Sequence, residues 1–140
     1  MEKRFRPEHF AVSVSNLERS MEWYQSVLGF EPERTEYAPP MHSRVGFMNN
    51  NGFRIEIFEH DQKIPVPEDR KIPNLDIQTG GTKHICLEHD DIPALAEELR
   101  NSGVDIVFGP VCNGVQHMMF IRDPDGILIE LVSAVRTYSR

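Results

Sequence analysis

The sequence predicts an α+β fold: two tandem βαβββ modules forming one curled mixed sheet around a cleft. Three observations predict it. A short alternating segment followed by an amphipathic stretch occurs twice, opening at His9-Phe10-Ala11-Val12-Ser13 and again at His84-Ile85-Cys86-Leu87-Glu88. Each copy closes on a short apolar run ending in a carboxylate, Phe53-Arg54-Ile55-Glu56 and Ile127-Leu128-Ile129-Glu130. The offset from His9 to His84 matches that from Glu56 to Glu130 to within one residue. The expected boundaries are module one at 7–60, a linker at 61–81 and module two at 82–134, all in a single domain over 1–140.

The first strand alternates. Phe10, Val12 and Val14 point to one side, His9, Ala11 and Ser13 to the other. Asn16 caps the following helix. Leu17, Met21, Tyr24, Val27 and Leu28 recur at helical spacing, and Gly29 stops the helix. Trp23 and Tyr24 read as packing residues of that helix. A charged strand follows over 30–37, broken by Pro39-Pro40. The 44–48 segment is the next strand, with Arg44, Gly46 and Met48 on one face. Asn49-Asn50-Asn51-Gly52 is a turn, because Asn and Gly tolerate positive φ. It joins this strand to the one at 53–59, where Phe53, Ile55 and Ile57 oppose Arg54, Glu56 and Phe58.

The linker carries Pro65, Pro67, Pro73 and many charges. It exceeds the usual connection length and reads as a crossover that flanks the site.

The second half repeats the first. A strand over 82–88 puts Ile85 and Leu87 on its apolar face and His84, Cys86 and Glu88 on the other. Asp90 or Asp91 caps a helix with Pro93 in its first turn, and Asn101-Ser102-Gly103 ends it. Strands follow at 104–108, 115–121 and 127–133. Gly109-Pro110 reads as a turn between the first two, and Arg122-Asp123-Pro124-Asp125-Gly126 as a sharp turn before the last. Neither module alone buries both faces of its sheet, which is the reason to expect the two to share one.

Bulk properties narrow the function. A chain of 140 residues can bury one real core. The formal net charge of −7 disfavours nucleic acid, whose phosphates call for Lys and Arg, and an anionic membrane. No stretch has the length and apolarity of a membrane helix. The N-terminal Met1-Glu2-Lys3-Arg4-Phe5-Arg6-Pro7 has no apolar run behind its charges and does not read as a signal peptide. Two cysteines, Cys86 and Cys112, make no disulfide framework. A cytoplasmic protein acting on a small molecule is the expectation.

Two histidines and two glutamates at matching positions of a repeat read as a metal site. His9, Glu56, His84 and Glu130 are the expected ligands. Imidazole and carboxylate together suit divalent Zn, Ni, Co or Mn, with Fe as a further choice. Mg and Ca prefer all-oxygen sets.

The motifs also resemble those of the vicinal oxygen chelate superfamily, the glyoxalase, bleomycin-resistance and extradiol dioxygenase group. The likeness covers nearly the whole chain. It is carried by His9 with Val14 to Ser20, Trp23-Tyr24, Leu28-Gly29-Phe30, Arg54-Ile55-Glu56, Lys83-His84-Ile85, and Asp123-Pro124-Asp125-Gly126 leading into Ile129-Glu130. The full His/Glu/His/Glu set is similar to that of bacterial glyoxalase I, which isomerises the hemithioacetal of methylglyoxal and glutathione, and to that of methylmalonyl-CoA epimerase. The resemblance implies a glyoxalase-like, metal-dependent lyase or isomerase that moves a proton through a metal-stabilised enediolate on a small carbonyl substrate. Glu130 is the expected base and Glu56 its partner. A homodimer is implied by the resemblance alone. The alternatives are an Fe(II)-dependent dioxygenase-like enzyme and a resistance protein that sequesters a small molecule.

Two positions depart from the glyoxalase I pattern. Ser13 stands where that family carries an Arg, and His60 where it carries an Asn. Both count against glutathione as the thiol, so the expected reaction is not glutathione-linked. Arg44, Arg54 and Arg122 are candidates to hold another anion. His42 and His60 flank the cleft, His89 is solvated and His117 packs. Cys86 is a small filler, and Met118 and Phe120 line the pocket wall.

Overall fold

The computed structural model describes residues 4–135. The outer ends of the 1–140 domain reading, and Met1 to Lys3 of the N-terminal segment, lie outside the described residues. The chain divides into two compact units, Met1–Pro65 and Val66–Arg140.

The first unit runs β1 (His9–Ser13), α1 (Leu17–Leu28), β2 (Glu31–Ala38), a 3-10 turn (Pro39–Met41), β3 (Ser43–Asn50) and β4 (Phe53–His60). Local chemistry sets these limits. Asn16 accepts the Arg19 N–H at 3.0 Å, and Glu59 reaches across from β4 to accept the Leu17 N–H at 2.6 Å. Those are two of the donors that a helix start leaves unpaired. Gly29 ends α1 in the left-handed region, at φ 76°. Asn51 and Gly52 turn the β3–β4 hairpin, both at positive φ. The sheet order is β1-β4-β3-β2, with β1 parallel to β4 and the other pairs antiparallel. Leu17, Tyr24 and Phe30 form the core with Met48, Ile55 and Ile57. Gly46 lets α1 come close, since a Cβ there would lie 2.7 Å from the Met21 sulfur.

The second unit begins with a 3-10 turn (Glu68–Lys71) and α2 (Pro73–Asp76). It continues through β5 (Ile85–Glu88), α3 (Ile92–Asn101), β6 (Asp105–Cys112), β7 (His117–Arg122) and β8 (Leu128–Val132). Asp91 caps α3 by accepting the Ala94 N–H at 3.0 Å. Asp123 closes the turn before β8, its Oδ1 accepting the N–H groups of Asp125 and Ile127 at 2.9 Å each. The order is β5-β8-β7-β6, with β5 parallel to β8. Ile92, Ala96 and Leu99 of α3 are buried, as are Met119, Ile121, Ile129 and Leu131 of the sheet.

The expectation of one curled sheet around a cleft is overturned. There are two separate four-stranded mixed sheets. The reason lies in the ladders. The first strand of each unit pairs with the last strand of the same unit, residue for residue, so every sheet closes its order inside its own unit. Three smaller differences follow. The 61–81 segment is not a bare loop but carries the second 3-10 turn and α2. β5 starts at Ile85, so His84 precedes the strand rather than lying on it. β6 runs through Gly109-Pro110 instead of turning there, absorbing the irregularity as register shifts against β7. Among the described residues no helix is long and apolar enough to cross a membrane.

Candidate functional site

Each unit brings one histidine to one glutamate. In the first, β1 and β4 run side by side in parallel, with His9 opposite Arg54 and Ala11 opposite Glu56. That register sets His9 Nε2 3.7 Å from Glu56 Oε1. In the second, Cys86 stands opposite Glu130 across β5 and β8. His84, two residues earlier, places its Nε2 2.9 Å from Glu130 Oε2. Among the described residues no three or more His, Cys, Asp or Glu side chains converge as a metal cluster. The four expected ligands stand as two pairs, one per unit.

The pairs suit a divalent ion. Each offers an imidazole nitrogen beside a carboxylate oxygen, the mixed set that first-row metals accept. Glu56, His84 and Glu130 are about one-fifth exposed, so they are shielded yet reachable. Their surroundings differ. The His84 ring stands edge-on to Phe120, centroids 4.9 Å apart, and Phe108 continues the aromatic wall. Cys86 is exposed rather than the buried filler expected, and desolvation first, then the Glu130 carboxylate, push its thiol up to about 11. Around His9 the neighbours are charged. Its Nδ1 contacts the Glu8 carboxylate, and Arg54 binds Glu8 in turn. The hydrogen bond from His9, and then that from Arg54, hold the Glu8 carboxyl below the usual carboxylate range.

The three candidate anion-binding arginines are all engaged. Arg44 pairs with Glu18, whose carboxyl it holds down. Arg54 donates to Glu33 at 2.8 and 3.2 Å and to Glu8. Arg122 donates to Asp105 at 3.0 Å and to the Lys71 carbonyl at 2.8 Å. His42 and His60 face each other with ring centroids 6.3 Å apart. The Nδ1 atoms of His60 and His89 accept backbone N–H groups two residues on. His117 sits half-buried at the start of β7. Two features escaped the sequence. One is Glu8, an acidic residue outside any periodic run. The other is a buried carboxylate, Asp76, gripped at 3.2 Å each by Arg70 and by Lys83, the residue before His84.

Comparison with known proteins adds the following. Residues 6–131 match the Glyoxalase/Bleomycin resistance protein/Dioxygenase superfamily. The lactoylglutathione lyase of Haemophilus influenzae is 31% identical over 94% of this chain and 94% of its own. That of Salmonella typhimurium is 30% identical over 90% of each. A crystal structure of a glyoxalase family protein from Enterococcus faecalis superposes with a TM-score of 0.73 at 25% identity, covering 89% of this chain and 94% of its own. The two lyases carry glutathione in their names, which overturns the expectation that the reaction is not glutathione-linked. Ser13 and His60 depart from the expected pattern at two positions only. They do not remove the rest of a similarity that runs the length of the chain.

Proposed function

The chain belongs to the Glyoxalase/Bleomycin resistance protein/Dioxygenase superfamily, and from that premise we propose that it is a glutathione-linked glyoxalase, a lactoylglutathione lyase. It is an enzyme of the superfamily's lyase and isomerase type. The proposed substrate is the hemithioacetal of methylglyoxal and glutathione, and the product is the lactoyl thioester. The observation that carries this reading is the pair of His–Glu contacts, His9 with Glu56 and His84 with Glu130, at equivalent places of two repeated units.

Family membership supports a metal cofactor. The residues proposed to hold it are His9, Glu56, His84 and Glu130, taking Zn, Ni, Co or Mn. When bound, such an ion supplies a Lewis acid that offsets negative charge developing on substrate oxygens. The chain does the rest. Glu130 takes the proton from the carbon bearing sulfur and returns it to the neighbouring carbon, while the hydroxyl proton passes from the oxygen of the first carbon to that of the second, so substrate and product are isomers and no oxidant or reductant is needed. Glu56 is the partner carboxylate. The buried Phe120 ring, edge-on to His84, makes that side of the imidazole apolar. A cytoplasmic homodimer acting on a small molecule, with neither nucleic acid nor membrane as partner, completes the proposal.

The test is direct turnover. Protein stripped of metal and reloaded separately with Ni, Co, Zn or Mn is given methylglyoxal and glutathione, and thioester formation is followed by ultraviolet absorbance. Metal-dependent thioester production supports the proposal. No thioester with any of the four ions, in protein that binds them, removes it.

A further inference from the structure

Glu8 lies just before β1 and outside the four-ligand set. Its carboxylate bridges two partners. One oxygen contacts His9 Nδ1, and the other accepts from the Arg54 guanidinium. Arg54 is itself fixed. It stands opposite His9 in the β1–β4 register, binds Glu33 through two hydrogen bonds, and lies over the Phe47 ring 5.0 Å from its centroid. Phe47 is nearly buried, so the platform under Arg54 is rigid. The order of support runs from the sheet to Arg54, from Arg54 to Glu8 and from Glu8 to His9.

We infer that Glu8 is a positioning residue for His9, accepting its Nδ1–H and so holding the ring with the Nε2 lone pair turned toward Glu56. The inference rests on the reading of His9 as a metal ligand. A neutral imidazole carries one N–H and one lone pair, and the partner of the first nitrogen selects which nitrogen is free. A carboxylate on Nδ1 leaves Nε2 to bind. Glu8 cannot join Nε2 on the same ion, because it occupies the opposite edge of the ring. The second unit solves the orientation differently, with the His84 ring set edge-on against Phe120.

The test compares wild type with Glu8→Ala, Glu8→Gln and His9→Ala. Zinc and cobalt dissociation constants are measured by competition with a chromophoric chelator. Nitrogen NMR of the imidazoles in metal-free protein reports the tautomer. More than half of Glu8 is exposed at its side chain, so its variants keep the fold. We expect Glu8→Ala to weaken metal binding about 10- to 100-fold. Glu8→Gln should lose less, because its amide oxygen still accepts Nδ1–H. His9 should carry its proton on Nδ1 in wild type and shift toward Nε2 in Glu8→Ala. Wild-type affinity in Glu8→Ala alongside lost affinity in His9→Ala overturns the role of Glu8 and keeps His9 as a ligand. Wild-type affinity in His9→Ala overturns the ligand reading itself, and the role of Glu8 with it. An Nε2–H tautomer in the wild-type protein also overturns the proposal.

Discussion

Glu130 and His84 meet at 2.9 Å although they lie 46 positions apart in sequence. The parallel pairing of β5 with β8 is what closes that gap. The contact places a carboxylate oxygen and an imidazole nitrogen beside the Phe120 ring, and it supports the proposed proton transfer in this half.

Replacing Glu130 by Gln keeps the size of the side chain and removes the proposed base. Turnover is expected to fall by about 10²- to 10⁴-fold, with the thermal midpoint close to wild type. Glu56→Gln tests the partner in the same way. Steady-state kinetics on metal-reloaded protein decides it, and undiminished turnover in both variants would refute the assignment.

Asp76 is buried between Arg70 and Lys83, and the Lys83 ammonium also donates to the carbonyls of Asp76 and Thr79. Asp76→Ala leaves two cations with backbone carbonyl acceptors but no carboxylate. Because both cations retain some solvent, the expected loss is about 2–3 kcal/mol, at the low end for a broken buried pair. Urea unfolding measures it. Limited proteolysis should show new cutting between residues 66 and 83, and an unchanged digestion pattern would argue against the clamp.

At Gly109 the backbone sits at φ 80°, and a Cβ would lie 2.7 Å from the Met118 carbonyl oxygen. The clash is with main chain, which cannot swing aside as a side chain does. Gly109→Ala should therefore cost about 3 kcal/mol, combining positive-φ strain with overpacking. Gly52→Ala provides the control, since a Cβ there meets nothing within 4 Å. Equal denaturant midpoints for the two variants would contradict the steric account.

Tyr37 donates its hydroxyl hydrogen to Asp61 at 2.6 Å, and that bond raises the phenol above its ordinary pKa. The folded state thus holds the proton more tightly than the unfolded chain does. The stabilisation is complete below the unfolded tyrosine value, about 10, and is lost as pH rises through the higher folded value. Asp61→Asn should let one phenol ionise earlier in an ultraviolet titration. Superimposable curves for the two proteins would discount the bond.

What was legible in the sequence was local. The alternation at His9–Ser13, the Asn16 cap, the Gly29 stop and the Asn51-Gly52 turn each follow from residue chemistry over a few positions. The partition into two sheets was not legible, because periodicity reports which face is apolar and not which strand supplies the ladder partner. α2 and its neighbouring 3-10 turn span four residues each, too short to show a helical period. Glu8 gave no signal because its partner Arg54 arrives from the far end of the same unit. The thiol was misjudged for a related reason. Ser13 and His60 are two positions, and whole-chain similarity to lactoylglutathione lyases outweighs them.

The pairing of the first strand with the last in each unit also dictates when the chemistry can exist during folding. His9 and Glu56, like His84 and Glu130, become neighbours only through the ladder of longest sequence separation in their unit. Local hairpins form early, whereas a contact that closes a long loop must offset its entropy and comes late. An ion held as proposed through these side chains would therefore find each His–Glu pair assembled only after the ladder of its unit has closed. Under the proposed ligand assignment, metal binding would then report on completed folding, since a chain lacking that ladder would offer only separated donors.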